Sequence, residues 1–303
     1  MSHEAILQTL SDKEIRRRID ACPKLGSLQS INKLLGELLR SNTSLNSQIA
    51  DVIRRDPSLS VRLLRVINSV YLGLSTRTNS IEEAVFYLGV RQIHELSMAT
   101  PILEELEKLQ RSNPNLPWQA LWRHSIATAA VTREILRPSY ANSDDDTSYL
   151  VGLLHNIGKV VMAYAFPDEL RTIMTMSARD PDAACAFERA IIGWDHAQIG
   201  AYFLSRHNLS EEICFAVQFH NQPERAPRHQ TFAAAVQVAD HLVRHQGIEG
   251  AFEKVGPIEK NSWVTLKGWD ILFGTEKGAA SDPARASLAS AMRQFAITAQ
   301  GLL

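Results

Sequence analysis

Between Trp118 and His245 apolar side chains recur every three to four residues, and this period confines the chain to packed helices. The runs are Trp118–Leu136, Thr147–Ala165, Asp168–Ala178, Ala183–Ile192, His196–Arg206, Glu211–His220 and Thr231–His245. They are separated by "RPSYANSDDDTS", "FPDE", "RDPDA", "GWD" and "NQPERAPRH", stretches rich in residues that cap helices or turn the chain. The same period runs upstream. Leu45, Ile49, Val52 and Ile53 share one face, and Asp56 with Pro57 supplies an N-cap and first-turn proline for "SLSVRLLRVINSVYLG". Ser80 and Glu83 form a capping box, Gly89 is the stop that follows, and further helices are expected at Val90–Leu109 and around Ala284–Ala299. No strand-like alternation longer than four residues competes. The expected fold class is therefore all-α, a compact multi-helix array with short connections.

Composition narrows the functional classes. Of 303 residues, 45% are hydrophobic and 21% charged, which suits a globular chain that folds without staples. Lys and Arg number 32 against 33 Asp and Glu, so no net field draws in nucleic acid or anionic lipid, and no nucleic-acid partner is expected. No apolar run reaches the roughly 18 residues a membrane span needs, and the first twenty residues lack a signal-peptide core. Cys22, Cys185 and Cys214 are far apart and read as reduced thiols. A cytoplasmic location without membrane attachment is expected. The run Asp144–Asp146 lacks the alternating oxygens and distal Glu of a calcium loop and reads as a solvated helix entry.

The residues able to carry chemistry are His124, His155, His196, His220 and Asp240, each in or beside a different helical run. A single histidine on an apolar helix is usually a hydrogen-bonded core residue. Several imidazoles and a carboxylate directed inward from separate helices, however, are how helical bundles build metal sites. Lys159 follows His155 by four residues and shares its helix face. Its ammonium suits anion contact beside such a site, or its stem runs along the surface with the charge in water. Trp122 and Trp194, next to two of the histidines, read as packing.

Taken in order, "IRRDPSLSVRLLRVINSVYLG", "SIEEAVFYLGV", "LWRHS", "VGLLHNIGK", "GWDHAQIGAYFL", "FHNQP" and "VQVADHL" resemble the HDOD family, an output domain of bacterial signalling related to metal-dependent HD hydrolases. The resemblance covers roughly residues 25–245. It implies an N-terminal helical lobe over 25–110 packed on an HD-like helical lobe over 111–246, with a helical extension at 1–24 and a C-terminal extension at 247–303. It also implies metal ligation by His124, His155 and Asp240, with His196 and His220 similar to the extra histidines of two-metal HD-GYP phosphodiesterases. The divalent ion would be Fe, Mn, Zn or Mg. The departure is Asn156, which stands where the HD pair carries aspartate. A neutral amide offers one oxygen where a carboxylate brings charge and two, which weakens the hold on a hard cation and on the water it would activate.

Three readings follow from the resemblance. The first is a non-catalytic output or scaffolding module that contacts a signalling protein through the N-terminal lobe or the segment after Gln246. The second is a metal-dependent phosphohydrolase or cyclic-dinucleotide phosphodiesterase with Lys159 near the phosphate. The third is a metal or small-ligand sensor. Asn156 separates the first two; the sequence leaves the third, the partner and the oligomeric state open.

Overall fold

The computed structural model describes residues 9–22, 46–54, 80–89, 115–137, 147–206, 209–250, 252–255 and 262–274, together with Leu63 and Ile93. Expectations for the Asp56–Pro57 cap, "SLSVRLLRVINSVYLG", Val90–Leu109, Asp144–Asp146 and Ala284–Ala299 lie outside the described residues. Within them the architecture is all-α. The helices are α1 (Asp12–Asp20), α2 (Asn46–Ile53), α3 (Trp118–Leu136), α4 (Thr147–Leu154), α5 (Ile157–Ala165), α6 (Pro167–Thr175), α7 (Pro181–Ile191), α8 (His196–Arg206), α9 (Glu211–Phe219), α10 (Gln230–His245) and α11 (Lys267–Phe273). Residues 81–89 are also helical.

Local signals set several of the boundaries. Asp180 accepts a 2.8 Å bond from the Ala183 amide and Pro181 opens α7, while Ser11 caps α1 through the Glu14 amide. Ser80 Oγ accepts from the Glu83 amide at 3.2 Å, and Gly89 ends that helix with φ of 75°.

Two expected helices differ. Thr147–Ala165 is not one helix: it breaks at His155 and Asn156, where the His155 ring takes the Gly152 carbonyl and Asn156 turns to φ −99°, ψ 13°. Asp168–Ala178 ends at Thr175, because Ser177 and Ala178 (β1) pair in parallel with Lys254 and Val255 (β2).

At the centre lies α3, buried nearly all round and packed against α4 and α10, while α8 packs on α5 and α9. The α5–α8 crossing is made by glycine. A Cβ on Gly158 would run into the His196 carbonyl, and Gly200 meets it from the other side. Both flanks of this bundle join the same core. Ile15 and Ile19 of α1 are fully buried in it, Trp194 Nε1 donates to Asp12 at 3.0 Å, and Phe252 is buried edge-on against Trp118. Among the described residues no single helix is long and apolar enough to cross a membrane. The bent pair α4–α5 with α6, which matches by composition, turns through 118°.

Candidate functional site

Five elements bring the site together. His124 projects from α3, His155 sits at the α4–α5 break, His196 opens α8, His220 caps the end of α9, and Asp240 lies on α10. All five are buried. His124 Nε2 is 2.6 Å from Asp240 Oδ1, and His155 Nε2 is 3.6 Å from the same oxygen. The ring centroids of His124 and His155, of His155 and His220, and of His220 and His196 are each 5.3 Å apart. The histidines thus form one continuous row, ending where His196 Nε2 meets His220 Nε2 at 3.4 Å.

Hydrogen bonding fixes which ring nitrogens face inward. His124 Nδ1 donates to Ile248 O (3.0 Å), His155 Nδ1 to Gly152 O (2.7 Å) and His220 Nδ1 to Val217 O (2.7 Å). His196 Nδ1 is held by Glu188 Oε2 at 2.7 Å, and the same carboxylate accepts from the His196 amide. Every ring therefore turns Nε2 toward the row. That outer-shell pattern, carbonyl or carboxylate on the far nitrogen, is the one that prepares imidazoles as metal ligands. His124, His155 and Asp240 offer ligand atoms within 4.8 Å of one another, as do Cys185, Glu188 and His196. The first group fits a divalent ion bound by two imidazoles and a carboxylate.

Asn156 alters that picture. With Nδ1 of His155 already protonated toward Gly152, its Nε2 carries a lone pair, and the Asn156 amide donates to it at 2.8 Å. The amide satisfies within the protein the lone pair that a cation would otherwise draw. A carboxylate at this position would face that lone pair with another.

The carboxylates have internal cations. Arg244 Nε reaches both oxygens of Asp240, at 3.0 and 2.9 Å, and its Nη2 reaches Glu253 Oε1 at 2.5 Å. Glu253 Oε2 in turn accepts from Lys159 Nζ at 2.6 Å. Burial opposes the charge on Asp240, but Arg244 and His124 outweigh it and hold the carboxyl well below its ordinary range. Glu253 is likewise held low by Lys159 and Arg244 against its own burial. Burial pushes the His155 ring down to about 4, reinforced by the charge of His124 and partly offset by Asp240. His220 is also driven down, by burial first and then by His155 and His196. The Cys185 thiol, buried beside Glu188, is pushed up.

Lys159 neither runs along the surface nor faces an open pocket: it is buried, and its anion is Glu253. Sequence reasoning passed over Arg244, Glu188 and Glu253, and it read Cys185 as a reduced thiol outside any site, whereas the fold sets it beside Glu188 and His196. Arg244 had a signal, since it lies four residues after Asp240 on one helix face. Glu188 looks like any polar residue of an amphipathic helix, and Glu253 lies where the helical period has stopped.

A helical bundle that collects histidines and a late aspartate from separate helices has the HD-like arrangement. The chain belongs to the HDOD domain family, whose profile matches residues 25–223 and so stops short of Asp240. It is 27% identical over 256 residues to an uncharacterised protein of Treponema pallidum, covering 82% of this chain and 48% of that one, so it spans about half that relative's length. An HDOD domain protein of unknown function from Geobacter sulfurreducens superposes with a TM-score of 0.72 at 20% identity, over 96% of this chain and 97% of that one. A Shewanella amazonensis protein provisionally named a phosphohydrolase gives 0.64 at 20% identity over 96% and 98%. A Marinobacter aquaeolei protein provisionally named for signal transduction gives 0.61 at 18% identity over 96% and 62%. These likenesses establish the shared fold.

Proposed function

We propose that the chain is a non-catalytic output or scaffolding module of bacterial signal transduction, cytoplasmic, passing its signal on through contact with another protein. One observation carries this reading. Glu253 occupies both Lys159 and Arg244, so neither of these two cations is free to meet a phosphate-bearing substrate. The Asn156 amide on His155 Nε2 supports it further, because the HD position that should charge and hold a metal is neutral and engaged. The name given to the Marinobacter protein agrees with a signalling role. Exposed Phe86 and Tyr87, edge to face at 5.4 Å on the helix 81–89, support a protein-contact surface in the N-terminal lobe. The near-zero net charge favours a protein over nucleic acid as the target.

The decisive measurement supplies Mn²⁺, Fe²⁺ or Mg²⁺ and assays nucleoside phosphates and cyclic dinucleotides. Turnover should stay below about 1 per second, the low end of ordinary enzyme rates. Faster turnover that disappears in His155→Ala would establish the phosphohydrolase instead.

A second reading, a metal sensor, is favoured by the four rings that turn Nε2 inward. A divalent ion bound by His124, His155 and Asp240 would supply Lewis-acid character and a fixed positive charge. Metal content of protein purified without a tag or chelator separates it from the first.

A further inference from the structure

The segment following α10 crosses the site and touches it at several named points. The Ile248 carbonyl accepts from His124. Gly250 lies so close to the Arg244 guanidinium that a Cβ there would collide with it. Phe252 packs on Trp118, and Glu253 then places its two oxygens on Arg244 and Lys159. Beyond it, Lys254 and Val255 pair in parallel with Ser177 and Ala178. Phe252 has φ of 73°, a conformation in which a bulky residue is strained. A strained residue and a parallel pairing flank the carboxylate, which is held by its two ion pairs and by the packing of Phe252.

Charge balance shows what Glu253 replaces. Glu253 is the buried anion shared by Lys159 and Arg244, while Asp240 is shared between Arg244 and His124. Without Glu253 one buried cation is left uncompensated, a costly state unless an anion enters. The vacated position is a two-point clamp with an ammonium on one oxygen and a planar guanidinium on the other, the donor set that suits phosphoryl oxygens.

We propose that Lys159 and Arg244 form an oxyanion site that Glu253 fills from within as a built-in competitor. Displacing the segment that carries Glu253 opens the site to a phosphate-bearing ligand. The proposal rests on the reading of the site as closed and non-catalytic, and it fails separately. Hydrolysis by the wild type would overturn that reading, whereas the proposal is decided by anion binding in a Glu253 variant.

The test compares thermal unfolding of wild type, Glu253→Gln and the double variant Lys159→Met/Glu253→Gln. Each is measured in chloride and in inorganic phosphate at matched ionic strength, with a nucleoside monophosphate as a further arm. Phosphate is expected to raise the melting temperature of Glu253→Gln by several degrees, with little change in wild type and none in the double variant. A response to the monophosphate as well identifies the phosphoryl end of a larger ligand, and a response to phosphate alone identifies the free anion. Equal shifts in all three proteins, or a folded Glu253→Gln indifferent to phosphate, would overturn the proposal. If Glu253→Gln folds only when phosphate is present, the site is upheld; failure to fold in both buffers counts against it.

Discussion

The Asn156 amide nitrogen lies 2.8 Å from His155 Nε2, the ring nitrogen left unprotonated by the bond from Nδ1 to the Gly152 carbonyl. The pair is matched as donor and acceptor, so the Asn156 amide satisfies His155 when no metal is bound. Asn156→Asp should therefore have opposite effects in two conditions. With chelator present, the carboxylate faces a lone pair and stability should fall by about 1–3 kcal/mol, the cost of an unsatisfied buried group. With divalent metal present the same carboxylate is a hard ligand, and affinity should rise about 10-fold or more. Urea unfolding with chelator and metal titration of the two proteins read both effects. A variant as stable as wild type in chelator would mean that the amide does not serve His155.

Acid should destabilise the metal-free protein through its buried histidines. Above pH 6.5 His155 is neutral folded and unfolded, and its contribution is fully present. As pH falls below that value the unfolded chain takes up a proton that the buried ring refuses until about pH 4, so stability is lost across that window. At about 1.4 kcal/mol per pH unit, His155 alone should remove about 2 kcal/mol between pH 6.5 and pH 5. His220 and the less buried His241 act in the same direction. Denaturation midpoints from pH 7.5 to 5 should fall more steeply for wild type than for His155→Gln. Parallel curves would assign the acid sensitivity elsewhere.

Much of this fold is legible because its helices are amphipathic or wholly apolar and end at strong punctuation. The boundaries of α3 at Trp118 and Leu136 and of α8 at His196 and Arg206 coincide with the sequence reading. The split between α4 and α5 is not legible, since apolar residues continue through it and its cause is a ring bonding to a carbonyl three residues back. The five site residues stand out as polar groups on apolar helices. Their counterions do not, since a buried Glu188 or Glu253 is recognised only once its partner is in place.

Residues outside the matched family region also carry stability. Ile15, on α1, is fully buried against the bundle, and Arg18 of the same helix pairs with Glu169 of α6 at 3.0 Å. Ile15→Ala should cost about 2–5 kcal/mol, the usual range for a buried isoleucine. Arg17→Ala, whose exposed side chain pairs within α1 at Glu14, should change little. Urea unfolding of the two variants distinguishes a packed helix from an appendage. If Ile15→Ala matched Arg17→Ala, α1 would not belong to the core.

The position of His196 depends on how closely α5 and α8 cross. A Cβ on Gly158 would collide with the His196 backbone carbonyl and lie 2.9 Å from the Gly200 amide nitrogen. Neither obstacle is a flexible side chain, so the helices must separate and carry His196 away from His220 and Glu188. One on Gly200 would meet its nearest atoms at 3.0–3.2 Å, two of the three being side-chain methyl groups that can give a little. Overpacking commonly costs about 1–3 kcal/mol. Gly158→Ala should reach or exceed the top of that range, and Gly200→Ala should lie at least about 1 kcal/mol below it. The paired measurement is urea unfolding together with the imidazole proton resonances of His196 and His220, which should shift in Gly158→Ala and hold nearly still in Gly200→Ala. Equal costs, or unmoved resonances in the Gly158 variant, would mean that the crossing does not set the histidine row.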